Sequence, residues 1–160
     1  MSKRVKILIG MALGAVWAGV AIWLGPVWKH TGLVFALAMA GFCIGVPLMA
    51  MIGRLAQRRF FDDAIIDGQG LTGAAEIDAR VLSNTVEQAL LAVCIWPLAG
   101  LVLGSGTVLS LGGGFVLARL GFWIGYHVSP PLRAFGFAAT FYPTVLAALL
   151  VLREGVQQAF

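Results

Sequence analysis

Charged residues are scarce in this chain of 160 residues. They make up 11% of it, whereas a soluble domain carries about a quarter. Apolar residues make up 60%, the mean hydropathy is +0.94, and the stretch from Gln88 to Ala118 has no charged residue at all. This composition excludes an ordinary soluble domain and predicts an integral membrane protein in contact with lipid.

Cysteine and histidine are also rare, with two residues of each type. Cys43 and Cys94 fall within apolar stretches, and His30 and His127 fall in different predicted loops. We therefore expect small buried cysteine side chains rather than a disulfide, and no metal site. Nothing in the composition indicates a nucleic-acid partner.

The remaining sequence contains five stretches that are nearly free of charge. A transmembrane helix needs roughly 20 apolar residues, and helices satisfy their backbone hydrogen bonds within lipid. The third stretch is short, but it spans if it is extended back to about Asn84. We predict an all-α membrane fold, one domain over residues 1–160. Its five spans are residues 7–24, 32–53, 89–104, 108–126 (interrupted by Arg119) and 134–152.

The first span follows three basic residues, as a secretory signal would. Its apolar run is longer than a usual signal core, and no clear cleavage site precedes Pro26, so a retained helix is the prediction. Because positive charge marks the cytoplasmic side, Lys3, Arg4 and Lys6 predict a cytoplasmic N-terminus. Five spans then place residues 54–80 and 127–133 on the same side and the C-terminus outside.

Polar residues are concentrated near that cytoplasmic side. In "RVLSNTVEQ", residues 80–88, the side chains of Arg80, Asn84 and Glu87 lie within about 60° of one another on a helix. We call these three residues the polar stripe. Arg119 and Tyr126 share a face of the fourth predicted span because they are seven residues apart.

Two further arginines flank these spans: Arg54 ends the second and Arg133 begins the fifth. Four arginines against one glutamate predict an anion pocket, because charges within a membrane are costly and mark function. For Arg54 and Arg133, an arginine that extends toward lipid headgroups is the alternative interpretation.

The spacing Arg80-x-x-x-Asn84-x-x-Glu87 resembles the signature of the MAPEG family, the membrane-associated proteins in eicosanoid and glutathione metabolism. The block "ARLGFWIGYHVSPPLRAFGF", residues 118–137, resembles that family's last two helices and the turn between them. The likeness covers roughly residues 32–152. It implies a four-helix bundle assembled as a homotrimer. The span at residues 7–24 precedes the likeness and is predicted as an additional helix, so we expect a bacterial-type member of the inner (plasma) membrane.

The resemblance also implies a ligand, since the family binds glutathione between subunits near the cytoplasmic face. By this likeness Arg133 stabilises the glutathione thiolate and Tyr126 donates a hydrogen bond to it, and a hydrophobic small molecule is the second substrate. The residues expected to bind glutathione as cosubstrate are Arg54, Arg80, Asn84, Glu87, Arg119 and Tyr126.

Two positions depart from the family pattern. Phe122 stands where characterised relatives carry a polar Tyr or His, and Gln88 stands where some eicosanoid enzymes have Tyr. Two functions therefore remain open. One is a glutathione-dependent transferase or peroxidase that acts on lipophilic electrophiles. The other is a non-catalytic membrane scaffold that binds a lipid or another anion, or serves as an assembly partner.

Overall fold

The structure is a computed structural model that describes residues 2–159 and their side chains, except those of residues 64, 158 and 159. Phe160, where the predicted outside C-terminus ends, lies beyond the described residues. Within the described range the secondary structure is entirely helical, with a 3₁₀ turn at Gly25–Trp28. The α-helices are α1 (Lys3–Trp23), α2 (Leu33–Phe60), α3 (Asp63–Ile66), α4 (Gly73–Leu103), α5 (Ser105–Val128) and α6 (Pro130–Ala159).

Five of these helices, all but α3, are long and apolar enough to cross a membrane. This confirms the predicted all-α fold with five spans. The third span was predicted to begin at about Asn84, and its helix extends further back, to Gly73. The predicted loop over residues 54–80 is much shorter than expected, because α2 continues to Phe60 and α4 already begins at Gly73. Arg58, which lies within this predicted loop, is therefore a helical residue.

Small residues allow α1 to pack closely on α6. A Cβ atom at Gly10 would meet the backbone of Pro131 and Phe135, and one at Gly14 would meet Ala138. α6 also packs against α5 and α4, and α2 packs against both α4 and α5. The core that these contacts create contains mainly alanine with a few large residues, among them Trp96 and Phe115.

The connection between α4 and α5 is a single residue, Gly104. Its φ of +97° lies in the region that glycine tolerates and other residues seldom adopt. Beyond this turn, Ser105 Oγ donates a 2.6 Å hydrogen bond to the carbonyl oxygen of Thr31, which ties the turn to the start of α2. Helices α4 and α5 are thus antiparallel, and the turn between them lies near the start of α2.

The outside of the bundle carries many exposed large apolar side chains, as a lipid-facing surface requires. Examples are Leu8, Phe42, Leu101 and Leu117. The two cysteines differ from expectation, since Cys43 is only half-buried and Cys94 is exposed. Cys94 lies on the side of α4 that does not pack against the other helices of the chain.

Candidate functional site

Arg119 joins three helices in the interior. Its side chain is fully buried, and its guanidinium donates hydrogen bonds to neutral oxygens on both neighbouring helices. These bonds are Nε to Thr140 Oγ1 (2.9 Å), Nη2 to the Gly136 carbonyl oxygen (3.0 Å) and Nη1 to Asn84 Oδ1 (3.0 Å). The guanidinium carbon also lies 4.3 Å from the ring centre of Phe122. The cation is therefore held by α4, α5 and α6 together.

The polar stripe lies next to this cation. Asn84 accepts from Arg119 and donates through Nδ2 to Glu87 Oε2 at 3.2 Å, so a hydrogen-bonded chain runs from the interior to the exposed carboxylate. Arg80 is one turn away and largely exposed, with 65% of its side chain accessible, and it pairs with Glu76 at 2.6 Å. Arg80 and Glu87 thus face away from the packed side of α4.

Tyr126 and Arg133 come together where α5 ends and α6 begins. The guanidinium carbon of Arg133 lies 4.9 Å from the centre of the Tyr126 ring, a cation–π distance. The close approach depends on glycine, because a Cβ at Gly125 would meet the backbone of Arg133 and one at Gly136 would meet that of Phe122.

Phe122, which we expected to stand in place of a polar residue of the family pattern, is buried. Its ring makes an edge-to-face contact with Tyr126, with 5.0 Å between the ring centres, and it covers the Arg119 guanidinium. It therefore separates the buried cation from Tyr126.

Arg54 lies near the end of α2 and is not joined to the other predicted site residues within one chain. Its exposed guanidinium donates to Gln57 Oε1 at 2.6 Å. It lines an open cavity of about 400 Å³ with Arg58 and Thr72, between the end of α2 and the start of α4.

Asp78 is a buried carboxylate that sequence reasoning missed. It is 1% exposed and accepts hydrogen bonds from Trp123 Nε1 (2.8 Å), from His127 Nε2 (3.0 Å) and from Arg58 Nε. We call these four residues the Asp78 cluster. It ties α2, α4 and α5 together at one end of the bundle.

A signal for Asp78 was present in the sequence. It stands three residues before Val81 and seven before Thr85, both buried, so the helical period of α4 assigns it to the packed face. The same period places it about 200° from Arg80, on the opposite side of the helix. The Asp78 cluster and the polar stripe are therefore separate features. Among the described residues, no three His, Cys, Asp or Glu side chains are grouped so as to hold a metal ion.

The fold and these contacts define an integral membrane protein with a charged network built between its helices. A model of the MAPEG family matches residues 32–153. The match covers most of the chain, so the protein belongs to the MAPEG family, as its sequence predicted, and to the membrane proteins of glutathione or eicosanoid metabolism. No curated protein and no solved structure gives a significant match. The family match leaves out α1 and the 3₁₀ turn.

Proposed function

We propose that this protein binds glutathione on the exposed face of α4 and activates its thiol for reaction with lipophilic electrophiles. The observation that carries the proposal is the chain Arg119–Asn84–Glu87. Arg119 is a buried cation with neutral partners, and it fixes the Asn84 amide beside an exposed carboxylate. A buried charge is costly and is kept where it orients or attracts a ligand.

The chemistry of glutathione suits the polar stripe. The tripeptide has two carboxylates, an ammonium group and a thiol. Arginine binds carboxylates with two parallel hydrogen bonds, which suits Arg80, and the Glu87 carboxylate accepts from an ammonium group. Arg80 would exchange its present partner Glu76 for the ligand. Because the side chains of Arg80 and Glu76 are both exposed, breaking their ion pair costs little free energy.

Arg133 and Tyr126 supply the activation. A guanidinium lowers the pKa of a neighbouring thiol, and the thiolate is the nucleophile. The Arg133 guanidinium lies over the Tyr126 ring, so the two side chains act at one place. In the proposed complex the Tyr126 hydroxyl donates to the thiolate. The thiol proton leaves to water. In the transferase reaction the sulfur forms a bond to an electrophilic carbon of the lipophile, whose leaving group departs with the bonding electrons.

A second copy of the chain would complete the site. Arg80 and Glu87 are exposed in one chain, together with the apolar Val86 and Leu90 on the same helix. We propose that this face packs against a neighbouring subunit in a homotrimer and that the neighbour's Arg54 reaches the ligand. The site then opens to the cytoplasm of a bacterial inner (plasma) membrane, with the N-terminus on that side.

The test is glutathione titration of the detergent-purified protein, with thiolate absorbance as a second signal. Arg80→Ala and Glu87→Ala should each weaken binding about 30-fold or more, since each leaves one charge of the ligand unpaired. Arg133→Ala should retain more of the binding and lose turnover and the thiolate signal. Arg59→Ala, an exposed arginine at the end of α2, is the control. If wild type binds no better than Arg80→Ala, the proposal is wrong.

The buried Phe122 favours one alternative, a scaffold that binds an anion without turnover. It removes a hydrogen-bonding side chain from the position between Arg119 and Tyr126. Phe122→Tyr distinguishes the two functions. If the wild type is inactive and Phe122→Tyr gains turnover, the scaffold function is supported. If the wild type is active, the scaffold function is excluded.

A further inference from the structure

A cavity of about 340 Å³ lies beside the Asp78 cluster, between α2, α4 and α5. We call it the α2–α5 cavity. Its walls are the four residues of the Asp78 cluster and one further residue, Arg54. It shares Arg54 and Arg58 with the cavity at the start of α4, so the two cavities adjoin at these arginines.

The positive charges of the α2–α5 cavity outnumber its negative charge. Two arginines face one carboxylate, and Arg58 is the arginine that pairs with Asp78. Arg54 donates to the neutral Gln57 and, within the part of the chain that the structure describes, forms no ion pair. Asp62 lines the adjoining cavity and not this one. One guanidinium charge is therefore left for an anion to neutralise.

Asp78 holds two donors on the wall of the cavity. Its own oxygens are occupied, because Oδ1 accepts from Trp123 and His127 and Oδ2 accepts from Arg58. The side chains of Arg58 and His127 remain 26% and 33% accessible, so a ligand can reach them. Their bonds to Asp78 use Nε and Nε2, and a guanidinium and an imidazolium each have further N–H groups to donate.

The cavity lies at the depth of lipid headgroups. Arg54 and His127 stand one residue beyond the apolar spans 32–53 and 108–126, and Arg58 stands five residues beyond the first of these. These positions are about 2–8 Å outside the hydrocarbon core, and the headgroup layer is roughly 5–8 Å thick on each side. Trp123 is of the residue type that concentrates at this level. A group that enters the cavity from the membrane is therefore a headgroup.

Apolar surface for the chains of such a lipid begins one helical turn deeper. Ala50 stands four residues before Arg54 on α2, and Leu120 stands three residues before Trp123 on α5, so each shares the face of a cavity residue. Both are exposed on the outside of the bundle. An acyl chain that runs from the cavity toward the membrane interior meets these side chains, whereas a soluble anion gains nothing from them.

A phosphate group matches the donors, because guanidinium and imidazolium groups form short, charge-assisted hydrogen bonds with phosphate oxygens. We propose that the α2–α5 cavity binds the phosphate of an anionic phospholipid, with Arg54, Arg58 and His127 as its donors. Basic pockets between transmembrane helices bind anionic headgroups in this way. A zwitterionic headgroup fits less well, since it brings an ammonium group to a site that already has positive charge in excess. Phosphatidylglycerol is the chemical type.

This site can be tested apart from the proposed glutathione site. Asp78 and Arg80 face opposite sides of α4, and neither Arg58 nor His127 is assigned to glutathione. Arg54 belongs to both proposals, because the glutathione of a neighbouring subunit would also draw on its charge. The variants that separate the two sites are therefore made at Arg58 and His127.

The experiment is native mass spectrometry of the detergent-purified protein titrated with phosphatidylglycerol. One lipid should be retained per chain with a saturable affinity. Arg58→Gln and His127→Gln should each weaken this binding about fivefold or more, because each removes a charged donor. His127→Gln keeps the ion pair of Arg58 with Asp78, so it tests the site even if Arg58→Gln fails to fold. Arg59→Gln is the matched control and should change the affinity less than twofold. It removes the same charge from the next residue, which is exposed and does not line the cavity.

Two comparison ligands identify the chemistry and its source. Phosphatidylcholine with the same acyl chains should bind at least fivefold more weakly than phosphatidylglycerol. Glycerol phosphate has the phosphate without the chains, and at the same concentration it should not displace the lipid. Displacement by glycerol phosphate would assign the cavity to a soluble anion and overturn the proposal. Equal binding of phosphatidylcholine, or equal losses in Arg59→Gln and His127→Gln, would overturn it too.

Glutathione affinity, measured in parallel, keeps the two proposals distinct. His127→Gln should bind glutathione as wild type does while it loses the lipid. A wild type that retains phosphatidylglycerol and binds no glutathione would contradict the proposed function and leave the lipid site supported.

Discussion

The side chain of Arg119 is fully buried, and all three nitrogens of its guanidinium donate hydrogen bonds. Arginine can donate to three separate acceptors in a fixed geometry, whereas a lysine ammonium cannot reach the same positions. Arg119→Lys should keep the charge but release Asn84, and glutathione affinity should fall by about tenfold because the amide loses its orientation. Thr140→Val removes a different bond of the same guanidinium, so it should lower the thermal midpoint while leaving affinity nearly unchanged. Equal affinity losses in both variants would argue against a specific role for Asn84.

Asp78 differs from Arg119 because its charge is paired within the chain, with Arg58. Asp78→Asn should destabilise the protein by roughly 1–3 kcal/mol, since Arg58 loses its carboxylate and the buried site keeps only neutral acceptors. Thermal unfolding in detergent measures this effect. Asp67→Asn, in the exposed loop before α4, should leave the midpoint unchanged. Glutathione affinity should also be unchanged in Asp78→Asn, because Asp78 and Arg80 face opposite sides of α4.

At the scale of elements, the contact between α1 and α6 depends on the absence of side chains. Gly14→Leu would force a branched side chain against Ala138, and overpacking of this kind costs about 1–3 kcal/mol. The variant should lower the thermal midpoint in detergent. Gly19→Leu, on the same helix and facing open space, should not. If both variants unfold at the wild-type temperature, α1 contributes little to the bundle.

The elements also show which features were predictable from sequence. Long runs without charge predicted the five spans because lipid excludes unpaired charges along a helix. Helices α2 and α4 extend beyond the predicted spans, because a run without charge marks the apolar part of a helix and not its end. The pairing of Arg58 with Asp78 is invisible to a count along the chain. The contact of Arg119 with Asn84 was equally hidden, since it depends on how α4 and α5 rotate against each other.

At the scale of the whole molecule, orientation in the membrane remains a prediction from charge. A reporter inserted within residues 67–71, the loop before α4, should be on the cytoplasmic side, because Arg54, Arg58 and Arg59 lie at the same end of the bundle. A reporter in the turn at Gly104 should be on the other side. Accessibility of both reporters in intact cells and in permeabilised cells makes the measurement. A cytoplasmic Gly104 turn would reverse the orientation and place the polar stripe outside.

Assembly is the other property of the whole molecule, and the proposed glutathione site depends on it. Arg80, Glu87 and exposed apolar residues occupy one side of α4, and these exposed charged side chains would meet lipid unless another chain covers them. We expect a trimer in mild detergent, by mass measured with light scattering. Glutathione should stabilise this trimer, because a ligand held between subunits binds the assembled form alone.

Cys94, exposed on α4 two turns beyond Glu87, offers a direct test of that assembly. A bifunctional thiol reagent applied to native membranes should link chains through Cys94, and Cys94→Ser should abolish the product. Cys43→Ser should leave the product in place, since Cys43 is half-buried against α5 beside Gly112. If the protein is a monomer in detergent and gives no crosslink in membranes, the shared site does not exist. Any glutathione binding would then have to come from one chain, in which the Arg54 guanidinium donates to Gln57.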